Sequence, residues 1–80
     1  MAMVDVSEMK QVEKQRVTVH SKVRATYSIF EDGGKRYFQI DTYGSTTRDM
    51  PEKISQTIQI DRQSAMKLIS LLVETFYDAE

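Results

Sequence analysis

From Arg16 to Ile60 the apolar residues of this 80-residue chain recur largely at every second position, and from Asp61 onward at every third or fourth. Period two belongs to a strand with one buried face; the three-and-four spacing belongs to an amphipathic helix. A chain that changes period once, near its C-terminus, is restricted to strands followed by a helix.

Within residues 16–30, Val17, Val19, Val23, Ala25, Tyr27 and Ile29 share one parity, and Thr18, His20, Lys22, Arg24, Thr26 and Ser28 share the other. The segment is predicted as one long bent strand, or as two strands divided near Ser21-Lys22. Glu31-Asp32-Gly33-Gly34 then supplies the positive φ of a tight hairpin. In residues 35–43, Phe38, Ile40 and Thr42 are assigned inward, and Lys35, Tyr37, Gln39, Asp41 and Tyr43 outward. Residues 44–53, with Gly44 and Pro51, read as a long loop. Beyond it Ile54, Ile58 and Ile60 are assigned inward, and Ser55, Thr57 and Gln59 outward.

Asp61 is a favoured N-cap, and Ala65, Leu68, Ile69, Leu72, Val73, Phe76 and Tyr77 form the stripe of one helix over residues 62–78. Met66 and Leu71 lie off that stripe and widen the apolar surface. Residues 1–15 are expected to be a flexible N-terminal arm, and residues 16–80 a single ββββα domain. The expected fold is α+β: an antiparallel sheet of three or four strands followed by one C-terminal amphipathic helix packed on one sheet face. The chain then holds no element to cover the opposite face.

A chain of this length supports one core at most, and it has no cysteine to reinforce that core with a disulfide. Dimerisation is a natural source of further burial. The longest wholly apolar run, Leu71-Leu72-Val73, is far too short to cross a bilayer, and the charged start lacks an apolar signal core, so an intracellular location is expected. Net charge is −1, which excludes a generic polycation. The charge is uneven: residues 16–62 carry eight Lys and Arg against six Asp and Glu, while both ends are acidic.

The outward parities collect Arg16, Thr18, His20, Lys22, Arg24 and Thr26 with Lys35, Tyr37, Gln39, Asp41 and Tyr43, and with Ser55, Thr57 and Gln59. Cations track phosphates and aromatic rings stack on unpaired bases, so this mixture suits single-stranded nucleic acid. Solvated strand faces are also routinely polar. His20 is the only histidine, the serines and threonines have no other base partner, and Gly33-Gly34 lacks a phosphate-loop frame. No enzyme activity, metal, cofactor or small-molecule substrate is expected.

The run Gly34-Lys35-Arg36-Tyr37-Phe38-Gln39-Ile40-Asp41-Thr42-Tyr43, a loop ending in Pro51-Glu52-Lys53, the strand Ile58-Gln59-Ile60 and a terminal helix resemble the transcriptional coactivator family called positive cofactor four. The likeness covers residues 16–78, and plant Whirly proteins share the general architecture. The resemblance implies a dimer that binds single-stranded DNA on curved sheets. It assigns Lys35, Tyr37, Tyr43 and Lys53 to the nucleic-acid surface, and the helix, through Leu68, Leu71, Leu72 and Phe76, to the dimer contact. The expectation is therefore a non-enzymatic homodimer that binds single-stranded DNA, with RNA as the alternative. Lys22, Arg24, Lys35, Arg48 and Lys53 would hold phosphates, and Tyr37 and Tyr43 would stack on bases. The rival expectation is a protein-interaction module, such as a phage or plasmid inhibitor or an adaptor.

Overall fold

Three of the four strands are the alternating segments read above, and the computed structural model describes residues 1–44 and 53–78. The strands are β1 (Ala2–Met3), β2 (Ala25–Asp32), β3 (Lys35–Tyr43) and β4 (Ile54–Ile60), in the sheet order β1-β4-β3-β2. Helix α1 spans Arg62–Phe76, and a 3-10 turn spans Val6–Glu8. The architecture is α+β, with a mostly antiparallel sheet: β2–β3 and β3–β4 are antiparallel, and β1 joins β4 in parallel.

The β2–β3 turn has two central residues, Gly33 at φ +59° and Gly34 at φ +80°. Two successive positive φ values are what a hairpin of matching twist demands, and glycine meets them without a Cβ penalty. The turn sets the register: Asp32 faces Lys35, Glu31 faces Arg36 and Phe30 faces Tyr37. Arg36 pairs with Glu31 at 3.1 Å, an exposed bridge that contributes little to stability.

Period two sorts the side chains as expected over β2, β3 and β4. Tyr27 opposes Ile40, Ile29 opposes Phe38, and Ile58 and Ile60 oppose Ile40 and Phe38 from the other side, so these residues share one apolar face. The rings of Tyr27 and Phe38 stack there at 5.3 Å. Between Thr42 and Tyr43 the β3–β4 register shifts, and Tyr43 pairs with Ile54. Such an irregularity re-aims the strand end locally.

Two expectations change. The predicted strand over residues 16–30 begins only at Ala25; residues 16–23 alternate in sequence but pair with no strand, and the Arg24 backbone meets β3 through its carbonyl. Alternation shows which side of a strand would be buried, not that a neighbour exists to hydrogen-bond it. The helix also turns a different side inward. Ser64 is its one buried residue, and Leu68 and Leu71, which share that side by helical spacing, are half-buried. Ile69, Leu72, Val73, Phe76 and Tyr77 are exposed.

The buried side is fixed by residues 2–9. The Ser64 hydroxyl donates to the Val4 carbonyl at 2.9 Å, the Val4 N–H donates to the Gln59 carbonyl at 3.0 Å, and α1 packs against the 3-10 turn. Asp61 caps α1 by accepting from the Ser64 N–H at 2.8 Å.

Among the described residues no apolar side chain is fully buried. The radius of gyration is 15.1 Å, whereas a compact domain of this length measures about 11.6 Å. Among the described residues the apolar face of the sheet is largely open, and of the helix only its start, through Ala65 and Met66, lines the cleft beside that face.

Candidate nucleic-acid interface

The opposite face is built by the other parity. β2 contributes Thr26, Ser28 and Phe30, β3 contributes Lys35, Tyr37, Gln39, Asp41 and Tyr43, and β4 contributes Thr57 and Gln59. Along β3 successive members of this face are ~6.8 Å apart, so Tyr37 and Tyr43 mark a track of ~20 Å.

The centre of the track is a hydrogen-bonded ladder. Gln59 Nε2 donates to Gln39 Oε1 at 2.9 Å, Gln39 Nε2 donates to both Asp41 carboxylate oxygens at 3.1 and 3.2 Å, and Thr57 Oγ1 donates to Asp41 Oδ1 at 2.6 Å. Asp41 is only 9% exposed, the most buried charged residue described. A carboxylate survives at such a position because it accepts from neighbouring donors. The ladder fixes two amides and a carboxylate in one orientation, with hydrogen-bonding edges of the kind that read unpaired bases.

Each end of the track carries aromatic surface and positive charge. At the hairpin end Phe30 stacks on Tyr37, centroids 5.3 Å apart and planes 25° from parallel, with exposed Lys35 at the strand start. At the other end the Arg24 guanidinium lies 4.0 Å from the centroid of the Tyr43 ring, a cation–π contact, and the Tyr43 N–H donates to the Arg24 carbonyl at 3.0 Å. The Tyr43 hydroxyl shares a hydrogen bond of 3.0 Å with Thr26 Oγ1. Lys53 is exposed and precedes Ile54, the partner of Tyr43, so it stands at this same end.

Of the residues expected to contact nucleic acid, Lys35 and Tyr37 lie together at one end of the track, and Arg24, Tyr43 and Lys53 at the other. Lys22 is exposed in the segment before β2, outside the sheet, and Arg48 lies outside the described residues. One face of the Tyr43 ring is covered by the Arg24 guanidinium. Sequence reasoning missed Phe30. Counting outward from the two-residue turn pairs it with Tyr37, and that count would have found it.

Of the expected dimer residues, Leu68 and Leu71 lie on the Ser64 side of the helix and are half-buried, while Leu72 and Phe76 are exposed. Among the described residues no group of three His, Asp or Glu side chains is placed to hold a metal ion. Among them, too, no helix is long and apolar enough to cross a membrane.

These features define a class: an α+β domain with one hydrogen-bonded, aromatic-ended polar face and one open apolar face. No protein-family model, curated protein or solved structure matches the chain.

Proposed function

We propose that this chain is a non-enzymatic protein that binds single-stranded nucleic acid, DNA in preference to RNA, on the polar face of its sheet. The observation that carries the reading is the placement of aromatic–cation clusters, Phe30/Tyr37/Lys35 and Arg24/Tyr43/Lys53, at the two ends of one hydrogen-bonded ladder. The rings stack on unpaired bases, the lysines neutralise phosphates, and Gln39 and Gln59 offer amide edges to bases. The resemblance to the positive cofactor four family supports the same assignment, with an intracellular role in transcription, replication or repair.

Titration of labelled oligo-dT followed by anisotropy tests this. Affinity falls as salt rises, because bound cations release counterions. Tyr37→Ala weakens binding at least about fivefold, the lower limit for one stacked base. A chain that binds no oligonucleotide at low salt is not a nucleic-acid-binding protein of this kind.

A second reading, a small protein-interaction module such as a phage or plasmid inhibitor or an adaptor, is favoured by the exposed Tyr27 and Ile29 on the apolar face. Capture of the same partner from lysate before and after nuclease treatment, with no oligonucleotide binding, selects that reading.

A further inference from the structure

The ladder on the polar face has a direction, and that direction limits which base suits it. An ionised Asp41 accepts hydrogen bonds and has none to give, so the amide that meets it must present nitrogen: Gln39 Nε2 donates to its two oxygens at 3.1 and 3.2 Å. With its nitrogen turned to Asp41, Gln39 turns its oxygen to β4, and Gln59 Nε2 donates to that oxygen at 2.9 Å. Thr57 Oγ1 gives its proton to Asp41 Oδ1 at 2.6 Å. One carboxylate thereby sets the orientation of both amides. Neither can be reversed without bringing acceptor against acceptor or donor against donor.

The groups left over are mostly acceptors. Among the described residues nothing donates to Gln59 Oε1; its register partner on β1 is Met3, whose thioether has no proton to give. Gln39 Oε1 keeps a second lone pair, and Asp41 Oδ2 and the Thr57 oxygen keep acceptor capacity too. Against these, each amide nitrogen keeps one proton at most. Gln39, Thr57 and Gln59 are half-buried and within reach of a ligand, whereas Asp41, at 9% exposed, acts through the orientation it imposes. A negative charge at the head of a hydrogen-bonded row also polarises the carbonyls behind it and strengthens them as acceptors.

Unpaired bases differ in what they offer such a row. Along its Watson–Crick edge guanine presents an acceptor, O6, and then two adjacent donors, N1–H and the N2 amino group. Thymine and uracil present acceptor, donor, acceptor; cytosine presents a donor and then two acceptors; adenine presents one donor beside one acceptor. Guanine alone brings two adjacent donors to a row of acceptors, with O6 left to take a remaining amide proton.

On the footing of the proposed single-strand binding, we infer that the ladder is a guanine-selective base site between the two aromatic ends of the track, the base donating to the Gln59 and Gln39 carbonyls. Asp41 is a positioning residue: it fixes the amides that touch the base. A base that sets a carbonyl against these carbonyls leaves acceptors unpaired, and that mismatch is what discriminates.

Anisotropy with the unaltered chain compares labelled oligo-dT with the same strand carrying one central guanine, a single one so that strands do not associate. The guanine strand is expected to bind at least about fivefold more tightly, the lower limit for one well-made two-point base contact. Hypoxanthine in place of that guanine keeps O6 and N1–H but lacks the N2 amino group, and it returns most of the gain. Adenine at the same place stays near oligo-dT. Asp41→Asn, whose amide meets Gln39 by either end, brings the guanine-to-thymine ratio toward one, with circular dichroism confirming the fold. Equal affinity for the guanine and thymine strands overturns the inference and leaves single-strand binding standing. So does a hypoxanthine strand that matches guanine, which denotes purine stacking, or a ratio that Asp41→Asn leaves unchanged. Failure of every strand to bind at low salt overturns the nucleic-acid reading and this inference with it.

Discussion

The carboxylate of Asp41 is the element of the polar face whose removal separates structure from binding. It accepts from Thr57 Oγ1 at 2.6 Å and from Gln39 Nε2 at 3.1 and 3.2 Å, and it is 9% exposed. Asp41→Ala leaves both donors without their acceptor. Hydrogen bonds to a charged group contribute about 1.5–3 kcal/mol each, but Gln39 and Thr57 are half-buried and partly recover water. The expected cost is therefore about 2 kcal/mol for the pair of bonds. For a domain of this size that lowers Tm by about 8–16 °C. Asp41→Asn keeps the shape but replaces one acceptor by a donor facing donors, and it costs about half as much.

Melting followed by circular dichroism reads these values. A double-mutant cycle with Thr57→Ala isolates the 2.6 Å bond, with an expected coupling of about 1 kcal/mol. On the proposed function, oligonucleotide affinity moves the other way. Removing a negative charge ~7 Å from a phosphate in a water-like dielectric gains about 0.6 kcal/mol, close to threefold in affinity. Asp41→Asn should therefore be less stable and bind more tightly. A Tm for Asp41→Ala within about 2 °C of the parent refutes the structural half of this reasoning, and affinity that falls in proportion to stability refutes the electrostatic half.

Two further outcomes follow from the N-terminus of α1. Ser64→Ala removes a hydroxyl that is 1% exposed and bonded to the Val4 carbonyl, costing about 1 kcal/mol. Amide exchange at Val4 should accelerate while Ile40 and Ile58 stay protected, and unchanged exchange at Val4 would show that the bond does not hold the N-terminal segment. The Asp61 carboxyl is held below its usual 3.8, first by the Ser64 backbone N–H. The Ser64 side chain is the next cause, desolvation opposes both, and the Lys35 charge adds the least of the four effects. The Ser64 hydroxyl has one proton and gives it to Val4, so the N–H carries the effect. A depressed carboxylate stabilises the fold fully above its unfolded value and loses that contribution as pH falls through the folded value. Asp61→Asn, still a competent cap, should melt below the parent near neutrality and converge with it as pH falls below the ordinary carboxyl value of 3.8; a pH-independent gap would contradict the charge argument.

What the sequence made legible was local. Gly33-Gly34 admits hardly any conformation but a tight hairpin, and the alternation of residues 35–43 and 54–60 sorts Phe38, Ile40 and Ile58 from Gln39, Asp41 and Thr57 as the sheet does. Partnership was not legible. Val17, Val19 and Val23 alternate as well as Tyr27 and Ile29, yet only the latter have β3 beside them, because the two-residue turn spends the register of β3 on residues 25–32. The helix stripe announced an amphipathic element, but Val4 and Ser64, distant in sequence, decided which side was held. Asp41 was legible only as one more outward position on β3; its role in the ladder depends on Thr57, sixteen residues away.

The two faces of this sheet are ordered by different forces, and that difference explains how one can be defined while the other is open. In a chain without a buried apolar side chain among its described residues, the hydrophobic effect fixes little of the sheet's position. The hydrogen-bonded ladder is directional, runs from Gln59 through Gln39 to Asp41 and Thr57, and ties β3 to β4 on one side of the pleat. The stacked Phe30–Tyr37 pair ties β2 to β3 on the same side, and the Arg24–Tyr43 contact ties the residue before β2 to the end of β3. The polar face is thereby preorganised by its own side chains, so a ligand there meets groups already held in place and spends less on ordering them. Among the described residues the apolar face has no such internal network beyond the Tyr27–Phe38 stack, and burial against another surface is the main stabilisation available to it. Cover on the apolar side and recognition on the polar side can therefore be altered separately, one by charging Ile58, the other by truncating Tyr37.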